Sequence, residues 1–278
     1  MDQRSELRAQ IALAVPLAAQ QLGFQLMGLV DAAWLGRYSD TALAAAGIGN
    51  NLLFAVTAIG LGIVMGLDTV IPQAIGGGRI EDARRFLHAG LRLAVLIGIA
   101  ATLVVIAMPL LLDVADVPAD VAEEARVYVY LRAVGVVPFL VSVALRSYLA
   151  ARSVTRPLII AVVLGNLANA ALDVVLIFGV DAIGIPPLGV IGAAAATVSV
   201  QIVIIVVYFA AARAVDHDAP RPVSTRADLV EVLRYGLPVG GQLFAEVGIF
   251  GVATMLAANL GTVPVAAHTI ALTVSSFT

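Results

Sequence analysis

The 278-residue chain is strongly apolar, with 61% hydrophobic residues, 13% charged residues and a mean hydropathy of +1.01. Soluble domains have about 45–50% apolar and about 25% charged residues, so the composition predicts a protein embedded in a lipid bilayer. The net charge of −3 excludes a basic surface for nucleic acid, and the absence of cysteine excludes disulfides, thiolate metal sites and cysteine nucleophiles.

Seven apolar runs are long enough to cross about 30 Å of hydrocarbon as helices. They are predicted at residues 9–35, 44–76, 88–112, 127–150, 157–180, 189–212 and 228–260. An eighth begins near residue 264 and reaches the end of the sequence without a polar stop, which we expect to mark a truncated chain. The first run is followed by no small-residue cleavage site, so we expect an uncleaved span rather than a signal peptide.

The arginines near span ends predict the orientation, because such arginines favour the cytoplasmic side of a membrane. Those at the N-terminus and in the second, fourth and sixth loops all fall on one side: Arg4, Arg8, Arg79, Arg84, Arg85, Arg152, Arg156, Arg213, Arg221 and Arg226. The alternate loops are mainly acidic, with Arg37 and Arg126 as exceptions. We therefore predict a multi-pass protein of the plasma (inner) membrane with a cytoplasmic N-terminus.

One helix entrance occurs twice, 222 positions apart, with Pro16 and Gln20 in the first copy and Pro238 and Gln242 in the second. Six spans separate the copies, so both enter the membrane in the same direction, as in parallel repeats related by an axis along the membrane normal. We therefore expect an all-α polytopic membrane protein in three parts. They are a six-helix N-terminal lobe at 1–213, a cytoplasmic linker at 214–227, and the first one to two helices of a truncated second lobe at 228–278.

Three acids lie well inside predicted spans, namely Asp31, Asp173 and Glu246. Each costs about 2.5–3.5 kcal/mol near a helix centre, so each requires a physical reason. At 1.5 Å per residue, Asp31 lies about 22 Å beyond Pro16 and Asp173 about 24 Å beyond Pro157. Both distances start at predicted cytoplasmic helix ends, so the two aspartates are expected at one level in the outer half of the first lobe.

The fifth predicted span carries Asn166, Asn169 and Asp173 at spacings that place them on one helix face. Tyr130, near the extracellular start of the fourth span, is within reach of the same level. Carboxylates, amides and a phenol suit a proton or a dehydrated sodium ion, since hard cations prefer oxygen ligands. Burial and mutual repulsion would favour protonation of one aspartate near neutral pH. A structural hydrogen-bond network between helices is the alternative interpretation.

Glu246 lies about 12 Å past Pro238, near the midplane of the second lobe. It is predicted to attract a cationic substrate or to bind the coupling ion, with an arginine ion pair as the alternative. Asp68 is predicted to have an interfacial or capping role, and Arg132 and Arg146 are predicted to snorkel or to pair with acids. The histidines are scattered, so the sequence predicts no cofactor and no metal site beyond Na⁺ ligands at Asp31, Asn169 and Asp173.

Four segments occur together at these spans. They are PLAAQQLGFQLMGLVDAAWLGRYSDTALAAAGI, GLDTVIPQAIGGG, GNLANAALDVVLIFG, and GQLFAEVGIFGVATMLAANLG followed by VAAHTIAL. In this order they resemble the multidrug and toxic compound extrusion (MATE) family of cation-coupled efflux transporters, over essentially the whole chain. The resemblance implies twelve spans in two six-helix lobes that rock to alternate access. At matching positions it implies a first-lobe cation site, a set that adds one threonine to those above: Asp31, Asp173, Asn169, Asn166, Tyr130 and Thr197.

The resemblance also matches Glu246 to a seventh-helix glutamate of the norfloxacin-extruding branch. We therefore expect an H⁺- or Na⁺-coupled antiporter that exports organic cations, drugs or other amphipathic compounds, monomeric when full length. A lipid-linked precursor flippase of the same superfamily is an alternative, although it should line its cleft with arginines. A non-transporting fragment is another. No HExxH, GxSxG or paired catalytic aspartate motif occurs, so we do not expect an enzyme.

Overall fold

The computed structural model describes residues 3–113, 117–217, 222–259, 267 and 271, and these residues contain helices but no strand. Apart from residues 267 and 271, the predicted eighth span near residue 264 lies outside the described residues. Two short 3-10 turns, Met108–Asp113 and Asp181–Ile183, follow two of the helices. The α-helices of the described part are α1 (Gln3–Tyr38), α2 (Asp40–Met65), α3 (Leu67–Gly76), α4 (Ile80–Ala107), α5 (Ala119–Ala133), α6 (Val136–Ala151), α7 (Arg156–Phe178), α8 (Val190–Val215) and α9 (Arg226–Asn259).

Helical structure covers all seven predicted spans. Five helical stretches of the described part are long and apolar enough to cross a membrane, and the pair α5 and α6, bent by 45°, is a sixth. The first helix has 36 residues and covers the predicted span 9–35. The prediction of an all-α polytopic membrane protein is therefore confirmed.

Two predicted spans are broken rather than continuous. The span predicted at 44–76 divides into α2 and α3 at Gly66, and the span predicted at 127–150 divides into α5 and α6 at residues 134–135. At the other end of α2 the connection is very short, because Ser39 alone separates it from α1. The Ser39 side chain accepts a hydrogen bond from the amide of Ala42, which caps the start of α2.

The buried core forms two apolar clusters along the bundle. Around α3, α6 and the second half of α8, large side chains such as Tyr148, Leu158 and Tyr208 are fully buried. Near the α1–α2 corner the second cluster is rich in alanine, including Ala42 and Ala45, which lets helices approach closely. Gln20 of the first repeat copy is buried and donates a 2.7 Å hydrogen bond to the Tyr208 hydroxyl, which ties α1 to α8.

The helices α2 and α9 cross through glycines, and we call this contact the glycine crossing. A Cβ atom on Gly62 would lie 2.5 Å from the nitrogen of Gly240, and one on Gly66 would lie 2.7 Å from the nitrogen of Gly236. The earlier glycine of α2 meets the later glycine of α9, so the helices run in opposite directions. Each pair has GxxxG spacing, which favours close helix contact in membranes.

Polar contacts hold the chain between α8 and α9 against the predicted cytoplasmic end of the first lobe. Asp216, just after α8, accepts hydrogen bonds from Arg84 at 3.1 Å, Arg152 at 3.3 Å and the Tyr148 hydroxyl at 2.7 Å. We call this group the Asp216 clasp. Further on, Arg92 donates to the backbone oxygen of Ser224 at 3.1 Å.

The start of α9 is fixed in a similar way. Asp228 accepts a 2.7 Å hydrogen bond from the amide of Thr225, and its other carboxylate oxygen lies 3.6 Å from Arg85. Arg146 pairs with Asp68 at 3.1 Å through partly exposed side chains, so of the two alternatives for this arginine the structure shows the ion pair. The predicted domain limits at 213 and 228 stay predictions.

Candidate functional site

The two first-lobe aspartates meet through an asparagine. Asn169 donates from Nδ2 to Asp31 Oδ1 at 2.7 Å and to Asp173 Oδ2 at 2.6 Å. The exposed fractions of Asp173, Asn169 and Asp31 are 0%, 1% and 7%, so the group is buried, with Asp31 the least so. We call these three residues the Asp–Asn–Asp cluster. It joins α1 to α7, as the depth and spacing in the sequence predicted.

Glycines allow the helices of the cluster to approach. A Cβ on Gly23 of α1 would lie 3.3 Å from Asn166 Nδ2 of α7, and one on Gly165 would lie 3.1 Å from Val200 of α8. Larger side chains at these positions would push α1 and α8 away from α7. The short distances between the polar groups therefore depend on small residues one or two turns away.

Thr197 of α8 supplies a further contact. Its hydroxyl lies 3.0 Å from Asp31 Oδ2 and also 3.0 Å from the backbone oxygen of Ala193. One hydroxyl hydrogen serves one of these acceptors at a time. When it points to Asp31, both oxygens of that carboxylate accept a hydrogen bond, one from α7 and one from α8.

Two oxygens of the cluster lack a partner among the described residues, namely Asn169 Oδ1 and Asp173 Oδ1. A buried acceptor without a donor is costly, and more so on a carboxylate. A proton or a hard cation would satisfy these atoms. Within the described part no three acidic or histidine side chains gather into a metal site, so a cation here would depend on amide and hydroxyl oxygens beside the two carboxylates.

The structure does not bring Asn166 and Tyr130 into contact with the aspartates. Asn166 is half-buried, and its Nδ2 donates to the backbone oxygen of Val162, one turn earlier, at 2.9 Å. Tyr130 is 45% exposed. The buried tyrosine of α5 is Tyr128, because two residues advance an α-helix by about 200° and so place Tyr130 on the opposite face. Tyr130 makes no hydrogen bond with the aspartates in the described part, and its place among the cation-site residues stays a prediction.

Asp31 borders a cavity of about 380 Å³ between α1, α2, α5, α6 and α8. Its polar lining, apart from Asp31 and Thr197, is Asn50, Thr57, Arg132, Gln25 and Gln201. Aromatic rings of Phe24, Phe54 and Phe139 line it as well. Sequence reasoning did not select Asn50 or Gln201. Gln201 follows Thr197 by one helical turn, and this spacing was the signal that both face the same side.

Glu246 is exposed on α9, apart from the Asp–Asn–Asp cluster. It makes no hydrogen bond or ion pair with another described residue. Most of α9 beyond the glycine crossing is exposed in the same way. The predicted role of Glu246 stays a prediction.

Several membrane-spanning helices, packed around a buried polar cluster that borders a cavity, define a polytopic membrane protein with an intramembrane polar site. A family model described as MatE matches residues 16–175. The chain therefore belongs to the MatE family, which confirms the resemblance in its sequence.

Named relatives match nearly all of this chain. Multidrug resistance protein NorM of Vibrio cholerae is 29% identical over 98% of this chain and 61% of its own length. A probable multidrug resistance protein NorM of Pseudomonas putida is 32% identical over 98% and 60%. One of Bradyrhizobium diazoefficiens is 34% identical over 96% and 58%. The chain thus spans about three fifths of the length of these relatives.

Solved structures show the same fold. The eukaryotic MATE transporter AtDTX14 aligns with a TM-score of 0.85 at 18% identity, over 98% of this chain and 61% of that one. A MATE protein in complex with MaD5 aligns with a TM-score of 0.83 at 23% identity, over 96% and 61%. The described helices therefore correspond to about three fifths of a MATE fold.

Proposed function

We propose that the full-length protein is a cation-coupled antiporter that exports organic cations or other amphipathic compounds by alternating access. The observation that carries the proposal is the Asp–Asn–Asp cluster, a buried acid pair with two unpartnered oxygens at the wall of a cavity. The relatives are named multidrug resistance proteins, which supports export of drugs as the activity of this family.

Electrostatic competition couples the two ligands in this proposal. Asp31 reaches both the cavity and the cluster, whereas Asp173 is fully enclosed. A cationic substrate near Asp31 is attracted while the carboxylates are ionised, and H⁺ or Na⁺ in the cluster removes that attraction. Binding of one ligand therefore weakens binding of the other, as antiport requires. Each elementary charge that moves inward down the membrane potential supplies about 2.3 kcal/mol of free energy per 100 mV to drive export.

The proposal also covers the membrane orientation, the cofactor requirement and the oligomeric state of the protein. The protein lies in the inner membrane with a cytoplasmic N-terminus, acts without a cofactor or catalytic reaction, and is monomeric when full length. Small molecules and lipid are its partners. The flippase alternative is weaker here. The cavity is lined by one arginine, Arg132, and one acid, Asp31, so it lacks the excess of positive charge that a pyrophosphate headgroup would require.

Transport by everted vesicles that contain the full-length protein tests the proposal. We expect uptake of ethidium driven by an imposed H⁺ or Na⁺ gradient, and loss of the driven component in Asp31→Asn and Asp173→Asn, since an amide cannot bind and release the coupling charge. Glu123→Gln is the matched control, because that exposed acid lies outside the cluster. Gradient-driven uptake that survives in both aspartate variants would contradict the proposal. Clamping the two gradients separately identifies the coupling ion.

A further inference from the structure

Arg132 is an intramembrane arginine that the proposed transport cycle does not use. It lies near the end of α5, about 20 Å along the helix from Ala119 and just before the break that leads into α6. Its side chain is half-buried and lines the same cavity as Asp31. An arginine at this depth is costly unless an anion or water compensates its charge.

The other arginines of this bent span have acidic partners, and Arg132 does not. Arg126 pairs with Asp113, and Arg146 pairs with Asp68. Among the described residues, the contact of Arg132 is the ring of Tyr128, whose centroid lies 5.8 Å from the guanidinium carbon. The charge of Arg132 is therefore not neutralised by a carboxylate of the described part.

The contact with the Tyr128 ring positions the Arg132 guanidinium and leaves its N–H groups available for hydrogen bonds. Tyr128 is buried, and its hydroxyl donates to Asn50 Oδ1 at 3.1 Å, so the ring cannot turn freely. A guanidinium above a ring still has its N–H groups in its own plane. These donors have the fork geometry that binds a carboxylate through two parallel hydrogen bonds.

The cavity thus has two polar groups of opposite charge, the carboxylate of Asp31 and the guanidinium of Arg132, together with aromatic rings. We propose that Arg132 is a specificity-determining residue that binds the carboxylate of amphoteric substrates. The cavity would then favour aromatic compounds that carry a carboxylate as well as a basic nitrogen over compounds that carry only positive charge, which Arg132 repels. This inference rests on the proposed export function and deepens it by naming the residue that distinguishes amphoteric from purely cationic substrates.

A dye pair that differs only in the carboxylate tests the inference. Rhodamine 110 carries the free carboxylate, and rhodamine 123 is its methyl ester. In everted vesicles with the full-length protein, Arg132→Gln should lower gradient-driven uptake of rhodamine 110 about tenfold, since a charge-assisted hydrogen-bond pair is lost. Uptake of rhodamine 123 should stay within about twofold of the unmutated protein or rise. Arg132→Lys keeps the charge without the fork and should give an intermediate ratio of the two dyes.

Arg126→Gln is the matched control, because it makes the same change on the same helix at a residue that pairs with Asp113. It should leave the ratio of the two dyes unchanged. If Arg132→Gln lowers uptake of both dyes equally, or leaves the ratio of their uptake unchanged, the proposed role of Arg132 is overturned while the export function stands. If the unmutated protein drives uptake of ethidium but of neither dye, this inference fails and the export function stands. If driven uptake survives in both Asp31→Asn and Asp173→Asn, the export function itself fails and this inference with it.

Discussion

Asp31 and Asp173 have similar partners but different surroundings. Asp31 accepts hydrogen bonds on both oxygens and borders the cavity, whereas Asp173 is fully enclosed and keeps one oxygen without a partner. The unpartnered oxygen places the need for a proton or a cation on Asp173. We therefore propose that Asp31 contacts the substrate and that Asp173 holds the coupling ion.

Replacing the bridging amide tests how the cluster tolerates its charge. Asn169→Leu removes the donor shared by both aspartates, so the ionised pair should become less stable by about 3 kcal/mol or more. Protonation removes the buried charge, and so lowering the pH from about 8 to about 5 should raise the melting temperature of the variant more than that of the unmutated protein. Thermal unfolding in detergent at the two pH values measures this.

Asn166→Leu is the control for that experiment, because Asn166 lies on the same helix and its side-chain amide donates to the backbone oxygen of Val162 rather than to an aspartate. It should show the same pH dependence as the unmutated protein. An equal response of the two variants to pH would mean that Asn169 does not hold the acid pair.

Spacing and depth in the sequence were sufficient to predict that Asp31, Asn169 and Asp173 meet. They were not sufficient for Asn166, since spacing fixes the helix face of a residue but not the rotamer, and its amide turned to the carbonyl of Val162. Thr197 came from the family resemblance alone. Arg132 was predicted to snorkel or to pair with an acid, although its i, i+4 spacing from Tyr128 was a signal that the two side chains share a helix face.

At the level of single elements, the helix start predicted from hydropathy was misplaced where the sequence is rich in charged residues. The fourth span was predicted to start at 127, but α5 starts at Ala119. The segment between them contains Asp120, Glu123 and Glu124, which lower the hydropathy yet favour the N-terminal end of a helix through the helix dipole. A hydropathy threshold therefore places the start of this helix two turns too late.

The glycine crossing gives a prediction for α2 and α9. Gly236→Ala places a Cβ 2.7 Å from the carbonyl carbon of Ile63, so α9 must shift, and the free energy of unfolding should fall by about 1–3 kcal/mol. Gly241→Ala is the matched control, since no atom lies within 4 Å of the added carbon. It should be neutral or stabilising, because alanine favours helix. Melting temperatures in detergent that fall equally in the two variants would show that the crossing does not constrain α9.

At the level of the whole molecule, the Asp216 clasp holds the chain that follows α8 against α4 and the end of α6. Asp216→Asn weakens its contacts with Arg84 and Arg152. We expect faster trypsin cleavage in the predicted linker of everted vesicles, where the cytoplasmic side is accessible. Right-side-out vesicles should resist cleavage there, which also tests the predicted orientation. Glu81→Gln, an exposed acid beside the clasp, is the control and should cleave at the unmutated rate.

The parallel repeat predicted a molecule with a second lobe that begins near α9, and the chain spans about three fifths of its relatives. The glycines around Gly62 are visible in the sequence, but the sequence does not predict that α9 packs against them. GxxxG spacing permits close helix contact and does not specify the partner helix. The face of α9 beyond the crossing is exposed and includes Glu246, and the start of a second lobe there stays a prediction.

The single-residue corner at Ser39 limits how α1 and α2 can move. Backbone hydrogen bonds tie the corner residue to both helices, from the Ser39 amide to the oxygen of Leu35 and from the Leu43 amide to the oxygen of Ser39, so the two helices have little freedom to move apart. Asp31 lies two turns before this corner, and the far end of α2 packs against α9 at the glycine crossing. A tilt of α1 produced by neutralising Asp31 would therefore move α2 as a rigid rod and displace α9 at that contact.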